Sequence, residues 1–136
     1  MDDSKIQPMP PKILTDAGLS MLVDTVKLRE LALPIVEVDI KELLWHFTMP
    51  VWEKDGTDDW NLTPQEVIDK AGGTLDHQKR VEAADISYPI LITRYNSRLV
   101  ILDGVHRLVK MFMKGERTVK AKIIPSEFLT RKEFLS

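Results

Sequence analysis

Asp103-Gly104-Val105-His106-Arg107 sets a carboxylate, a glycine, an imidazole and a guanidinium side by side. The run Leu99-Val100-Ile101-Leu102 just before it is apolar, β-rich and too short for a helix, so it reads as a buried strand. Just after it, Val105, Leu108, Val109 and Phe112 recur at helical spacing, with Arg107, Lys110 and Lys114 around the rest of the cylinder and Gly115 as the stop. A helix that starts directly after such a glycine offers unpaired N–H groups and the positive end of its dipole to an anion. On this reading Gly104, Val105 and His106 supply backbone N–H groups, His106 and Arg107 add side-chain contacts, and Lys110 adds longer-range charge. The same residues also fit a plain turn, in which Asp103 caps the helix, Gly104 turns the chain and Arg107 pairs with a carboxylate.

The elements that must position this motif can be read on either side of it. Pro8, Pro10 and Pro11 predict an extended or mobile arm over residues 1–12, followed by one domain over residues 13–136. Thr15 or Asp16 is placed to cap a helix to about Leu28, with Leu19, Leu22, Val23 and Val26 as its stripe and Gly18 as a weak point. Residues 34–38 alternate like a strand, and Asp39 with Glu42 resembles a capping box opening a helical turn through Leu44. The aromatic segment Trp45 to Trp52 suits either a ligand-contact lid or the cover of a small core. Thr63-Pro64-Gln65-Glu66 starts a helix to about Lys70, and Asp76 is placed to cap another from His77 to about Ala84. Ile90 to Thr93 pairs with Leu99 to Leu102 across Asn96-Ser97 as a hairpin, Val119 to Ile124 alternates as a half-exposed strand, and a last helix runs from Glu127 to about Phe134.

Composition narrows the chemistry. The 136 residues include no cysteine, which excludes disulfides, thiolate metal sites and a cysteine nucleophile. His46, His77 and His106 lie far apart in sequence and show no metal-ligand spacing. The acidic start lacks the apolar core of a signal peptide, and no run approaches membrane-spanning length, so the expectation is a cytoplasmic protein without a membrane partner. The net charge of −2 hides an asymmetry. Residues 1–87 carry nine Lys and Arg against seventeen Asp and Glu, net −8, and residues 88–136 carry ten against four, net +6. An anionic ligand is therefore expected at the basic half, which holds the glycine junction.

From Leu62 onward the order is helix, helix, extended link, hairpin, Asp-Gly-x-His-Arg, helix, Gly115, strand. This order, carried most specifically by Leu99 to Leu108, resembles the ParB/sulfiredoxin superfamily over about residues 34–125. The resemblance implies an α+β fold, a small mixed sheet with packed helices, and a nucleotide site at the glycine-led helix. The superfamily spans partition CTPases, sulfinic-acid reductases, free-serine kinases, nucleases and ADP-ribosyltransferase toxins, so fold alone does not fix activity. Val105 stands where sulfiredoxins carry cysteine, which excludes the reductase chemistry. Partition proteins carry Gly-Glu-Arg-Arg in place of Gly104-Val105-His106-Arg107 and continue into a DNA-binding domain, so partition function is not expected. Free-serine kinases share Asp-Gly-x-His-Arg and use a glutamate near the first strand, for which Glu37 and Glu42 are the candidates here.

The resemblance thus implies a nucleotide (ATP, ADP or CTP) with Mg2+ at Gly104, Val105, His106, Arg107 and Lys110. The implied reaction is phosphoryl transfer or nucleotide hydrolysis, with Asp103 holding the metal-nucleotide or orienting an acceptor hydroxyl and Glu42 as the second catalytic candidate. Two other readings stay open. One is a nucleic-acid-binding or nuclease-like accessory protein, tracking phosphates with Arg94, Arg98, Arg107, Lys110, Lys120 and Lys122. The other is a regulatory module that binds a nucleotide without turnover.

Overall fold

The fold is taken from a computed structural model that describes residues 9–19 and 22–135. It is α+β, built on a four-stranded mixed sheet in the order β1-β4-β2-β3, with β1 at Val36–Asp39, β2 at Ile90–Tyr95, β3 at Arg98–Asp103 and β4 at Thr118–Ile123. Strands β2 and β3 form the expected hairpin, and β4 returns to lie parallel to β2 and antiparallel to β1. Asn96 and Ser97 both hold positive φ, 50° and 65°, which gives the tight turn the twist that a two-residue hairpin needs.

Strand β2 is apolar on both sides because both of its faces are covered. Ile90 and Ile92 face the larger core, with Leu99 and Ile101 of β3 and Leu108 and Val109 of α5 (Val105–Met113). Leu91 faces a second, smaller cluster with Leu28, Ile124 and Phe134. That second layer consists of α2 (Thr25–Arg29) and the C-terminal turns, tied by the Asp24 N–H donating to the Phe134 carbonyl at 2.7 Å and by Lys122 Nζ donating to the carbonyls of Arg29 and Leu31. The larger core is closed by α3 (Pro64–Ile68), α4 (Leu75–Ala83) and a 3-10 helix over Ile40–Thr48.

Several boundaries differ from the sequence reading. Residues 1–8 of the predicted arm lie outside the described residues, and Lys12 already opens α1 (Lys12–Ala17). The single helix expected to Leu28 is two short ones: Gly18 takes φ 82° and ends α1, and Asp24 caps α2 by accepting from the Val26 and Lys27 N–H groups. Residues 20 and 21 of that stretch lie outside the described residues. The turn opened by Asp39 extends to Thr48, because Ile40, Leu43 and His46 recur every three residues and so line one face of a three-residue-per-turn helix. The expected last helix is replaced by 3-10 turns at Ser126–Thr130 and Lys132–Phe134. Thr63 and Glu66 form the full capping box at the start of α3.

The aromatic segment belongs to the core. Trp45 Nε1 donates to the Leu99 carbonyl, and His46, fully buried, bonds the Leu43 carbonyl through Nδ1 and accepts the Ile101 N–H through Nε2 at 3.0 Å. Both residues thereby occupy backbone groups on the outer edge of β3, which would otherwise be left open for pairing.

Candidate anion cleft at the start of the motif helix

Gly104 is the N-cap of α5, at φ 116° and ψ 21°, and no side chain caps that end. Asp103 is therefore not the cap. The first helical hydrogen bond runs from the Leu108 N–H to the Gly104 carbonyl, so Val105, His106 and Arg107 point N–H groups out of the helix start. An open cleft of about 300 Å³ lies there, lined by Arg80, Ala84, Asp85, Tyr88, Asp103, Gly104, His106 and Arg107. Glycine is required at position 104 for two reasons, its backbone conformation and its packing. An added Cβ would stand 2.6 Å from Ile90 Cγ2 and 3.1 Å from Arg107 Nη1, so the missing side chain makes room for the protein itself.

The polar side chains of the motif divide between holding the fold and facing the cleft. Arg107 Nη1 donates to the Pro89 carbonyl at 2.9 Å and its Nη2 to Asp103 Oδ2 at 3.2 Å, tying the helix start to the beginning of β2. The same Asp103 oxygen lies 3.6 Å from Arg29 Nη2, so two guanidiniums flank one carboxylate. Among the described residues, Arg29 Nε is buried with no hydrogen-bond partner. Lys110 does not line the cleft: its ammonium donates to the carbonyls of Glu82 and Ala84 and so closes the C-terminal end of α4 at the cleft's edge. Lys110 thus makes no direct contact at the cleft but its charge acts on Asp85 there, and Arg107 is shared between the cleft and the fold.

His106 turns its ring inward. Its Nε2 lies 2.9 Å from His77 Nδ1, and both imidazoles lie nearly parallel to the Trp52 indole, with centroids 4.3 and 4.6 Å from it. His77 Nε2 lies 3.3 Å from Glu53 Oε2. Burial is the main cause that lowers the His106 pKa to about 4, with the neighbouring His77 and Arg80 adding to it, so the ring is neutral at pH 7.

Sequence reasoning missed Arg80, Asp85 and Tyr88. Arg80 extends from α4 and pairs through Nε with Asp76 at 3.0 Å, a half-exposed pair that leaves the guanidinium at the cleft. Asp85 accepts from the Ser87 N–H and hydroxyl, and those hydrogen bonds hold its carboxyl below the usual range. Tyr88 is 55% exposed. None of the three lies within the motif, and no periodicity marks them. Their common signal is that the α4 end and the Pro89 link must run back to the start of β2, beside Gly104. Glu42 stands exposed on the 3-10 helix and lines neither this cleft nor its neighbour. Glu37 accepts from the Thr118 hydroxyl and lines an adjacent hollow of about 210 Å³ that shares Tyr88 and Arg107 with the cleft.

Of the six cations in the nucleic-acid reading, four are committed within the chain. Arg107 and Lys110 are bound as above, Lys122 holds the end of α2, and the Arg98 guanidinium lies 3.8 Å above the Trp45 ring. No helix among the described residues is long and apolar enough to cross a membrane. Comparison with known proteins returns no match: no family model, no curated protein and no solved structure is significantly similar to this chain.

Proposed function

We propose that the chain is a ParB/sulfiredoxin-like domain that binds a nucleotide through its phosphates at the N-terminus of α5. The observation that carries the reading is the set of outward N–H groups of Val105, His106 and Arg107 opening into a cleft that two arginines line. Arg80 supplies the less committed charge, Arg107 the more rigid one, and the exposed Tyr88 ring a surface on which a base can stack. The carboxylate of Asp103 is countered by Arg29 and Arg107, which reduces its repulsion of a phosphate. No group of three or more His, Cys, Asp or Glu side chains suited to a metal ion occurs among the described residues. Mg2+ would enter with the nucleotide, its phosphates supplying ligands and Asp85 at the cleft giving one protein oxygen.

Phosphoryl transfer or hydrolysis extends this reading and is tested separately from binding. A thermal-shift screen with Mg2+ against ATP, ADP, CTP, GTP, NAD and short DNA, at low and high salt, addresses the binding step. The expected result is a rise in melting temperature with one nucleotide that survives high salt, followed by product analysis with that nucleotide. A response to DNA alone that vanishes at high salt would overturn the reading in favour of a nucleic-acid binder. Binding with no product would make the chain a regulatory nucleotide module.

A further inference from the structure

The Glu53-His77-His106 chain has no role in binding a phosphate, yet it ends at a residue that lines the cleft. Its hydrogen bonds dictate where the protons sit. A carboxylate at Glu53 accepts only, so His77 presents its proton from Nε2. With that single proton on the His77 ring, its Nδ1 is an acceptor and receives the proton of His106 Nε2. His106 is thereby fixed in the Nε2-protonated form, with Nδ1 as an unprotonated lone pair that has no partner among the described residues. The parallel Trp52 ring holds both imidazoles in this plane, and His77 is 1% exposed, so water does not compete for the inner bond.

We propose that Glu53, His77 and His106 form a proton relay that presents His106 Nδ1 as a base beside the anion cleft, suited to deprotonate an acceptor hydroxyl when a nucleoside triphosphate is bound. This rests on the nucleotide reading above. In the step it serves, the hydroxyl oxygen attacks the terminal phosphorus, and the bond from that phosphorus to the bridging oxygen breaks, its electron pair leaving with the nucleoside diphosphate. The hydroxyl proton passes to His106 Nδ1, the Nε2 proton moves to His77 Nδ1, and the His77 Nε2 proton moves to Glu53. Besides Glu53 and His77, the charged groups acting on His106 are Arg80 and Asp76 from α4 and Asp103 from β3. A bound phosphate adds negative charge beside the ring and raises its proton affinity from a resting pKa of about 4 toward the range useful for a base.

The test is nitrogen-15 NMR of the three histidines in the intact chain, in wild type and in Glu53→Gln, with ATP and Mg2+ titrated into each. His106 is expected to show a pyridine-type Nδ1 and a pyrrole-type Nε2. Glu53→Gln, whose amide can accept or donate, is expected to mix the two tautomers of both His77 and His106 while leaving His46 unchanged. ATP is expected to shift His106 Nδ1 and raise its titration midpoint by a unit or more. A protonated Nδ1 in the wild type, or a tautomer that Glu53→Gln leaves unmoved, overturns the relay. If ATP moves the amides of Val105 to Arg107 but not His106 Nδ1, the nucleotide reading stands and the base assignment falls. If ATP moves neither and no other nucleotide of the screen does, the nucleotide reading falls and takes the base assignment with it.

Discussion

Arg80 and Arg107 both line the cleft, but they differ in what else they hold, and that difference makes them separable by mutation. Arg107 makes a charged hydrogen bond to the Pro89 carbonyl and a partly buried pair with Asp103. Arg107→Ala is expected to cost about 2 kcal/mol of stability, because it also leaves that carboxylate short of a partner, and to abolish nucleotide binding in the protein that remains folded. Arg80 is half exposed and pairs with Asp76 on its own helix, an interaction worth about 0.5 kcal/mol at most. Arg80→Ala should therefore leave the urea midpoint nearly unchanged and weaken nucleotide affinity by roughly fivefold to tenfold, or about 1 kcal/mol. Equal losses of stability in the two variants, with no change in affinity for Arg80→Ala, would count against the cleft. Gly104→Ala is expected to destabilise by about 2 kcal/mol, since it combines a φ of 116° with a contact 2.6 Å from Ile90. A variant as stable as the wild type would show that the helix start can open away from β2.

At the level of elements, local signals succeeded where one residue does one local task and failed where the partner comes from elsewhere in the chain. The α3 capping box, the Asn96-Ser97 turn and the Gly115 stop, at φ 80°, involve only near neighbours, and each formed as read. Helix α4 is the instructive failure. Asp76 sits where a cap was expected, yet the N–H groups of Leu75 and Asp76 donate to the two carboxylate oxygens of Asp55, about twenty residues earlier. Asp55 is itself held by its own N–H donating to the Gly73 carbonyl at 2.9 Å. Asp55→Ala is thus expected to cost about 1 kcal/mol in denaturant unfolding, and Asp76→Ala much less. The reverse order would return the cap to Asp76. Lys110 is likewise held by distant partners: its ammonium caps the carbonyls that end α4, one of them that of Ala84 at the edge of the cleft.

Across the whole molecule, the strand-glycine-helix junction was legible because strand, turn and helix are contiguous. The histidine pair was not legible, because His77 and His106 meet only once α4 packs on α5 over Trp52. That packing has a consequence for pH. His46 and His106 are both lowered to about 4, in each case chiefly by burial, while an unfolded histidine titrates near 6.5. Between these values the unfolded chain binds more protons than the folded one. The stability that each neutral ring contributes is therefore complete above pH 6.5 and is lost as the pH falls toward 4, on the order of 3 kcal/mol for each. The urea midpoint should drop steeply between pH 7 and pH 4.5, and a flat profile over that window would contradict the buried neutral state of both rings.

A nucleotide phosphate seated on the first turn of α5 is tested most directly by the backbone amide NMR spectrum during titration with ATP and Mg2+. The largest shifts are expected on Val105, His106 and Arg107, to saturate with ATP, to persist at high salt and to vanish in Arg107→Ala. Saturable shifts elsewhere in the chain, with these three amides unmoved, would contradict that placement.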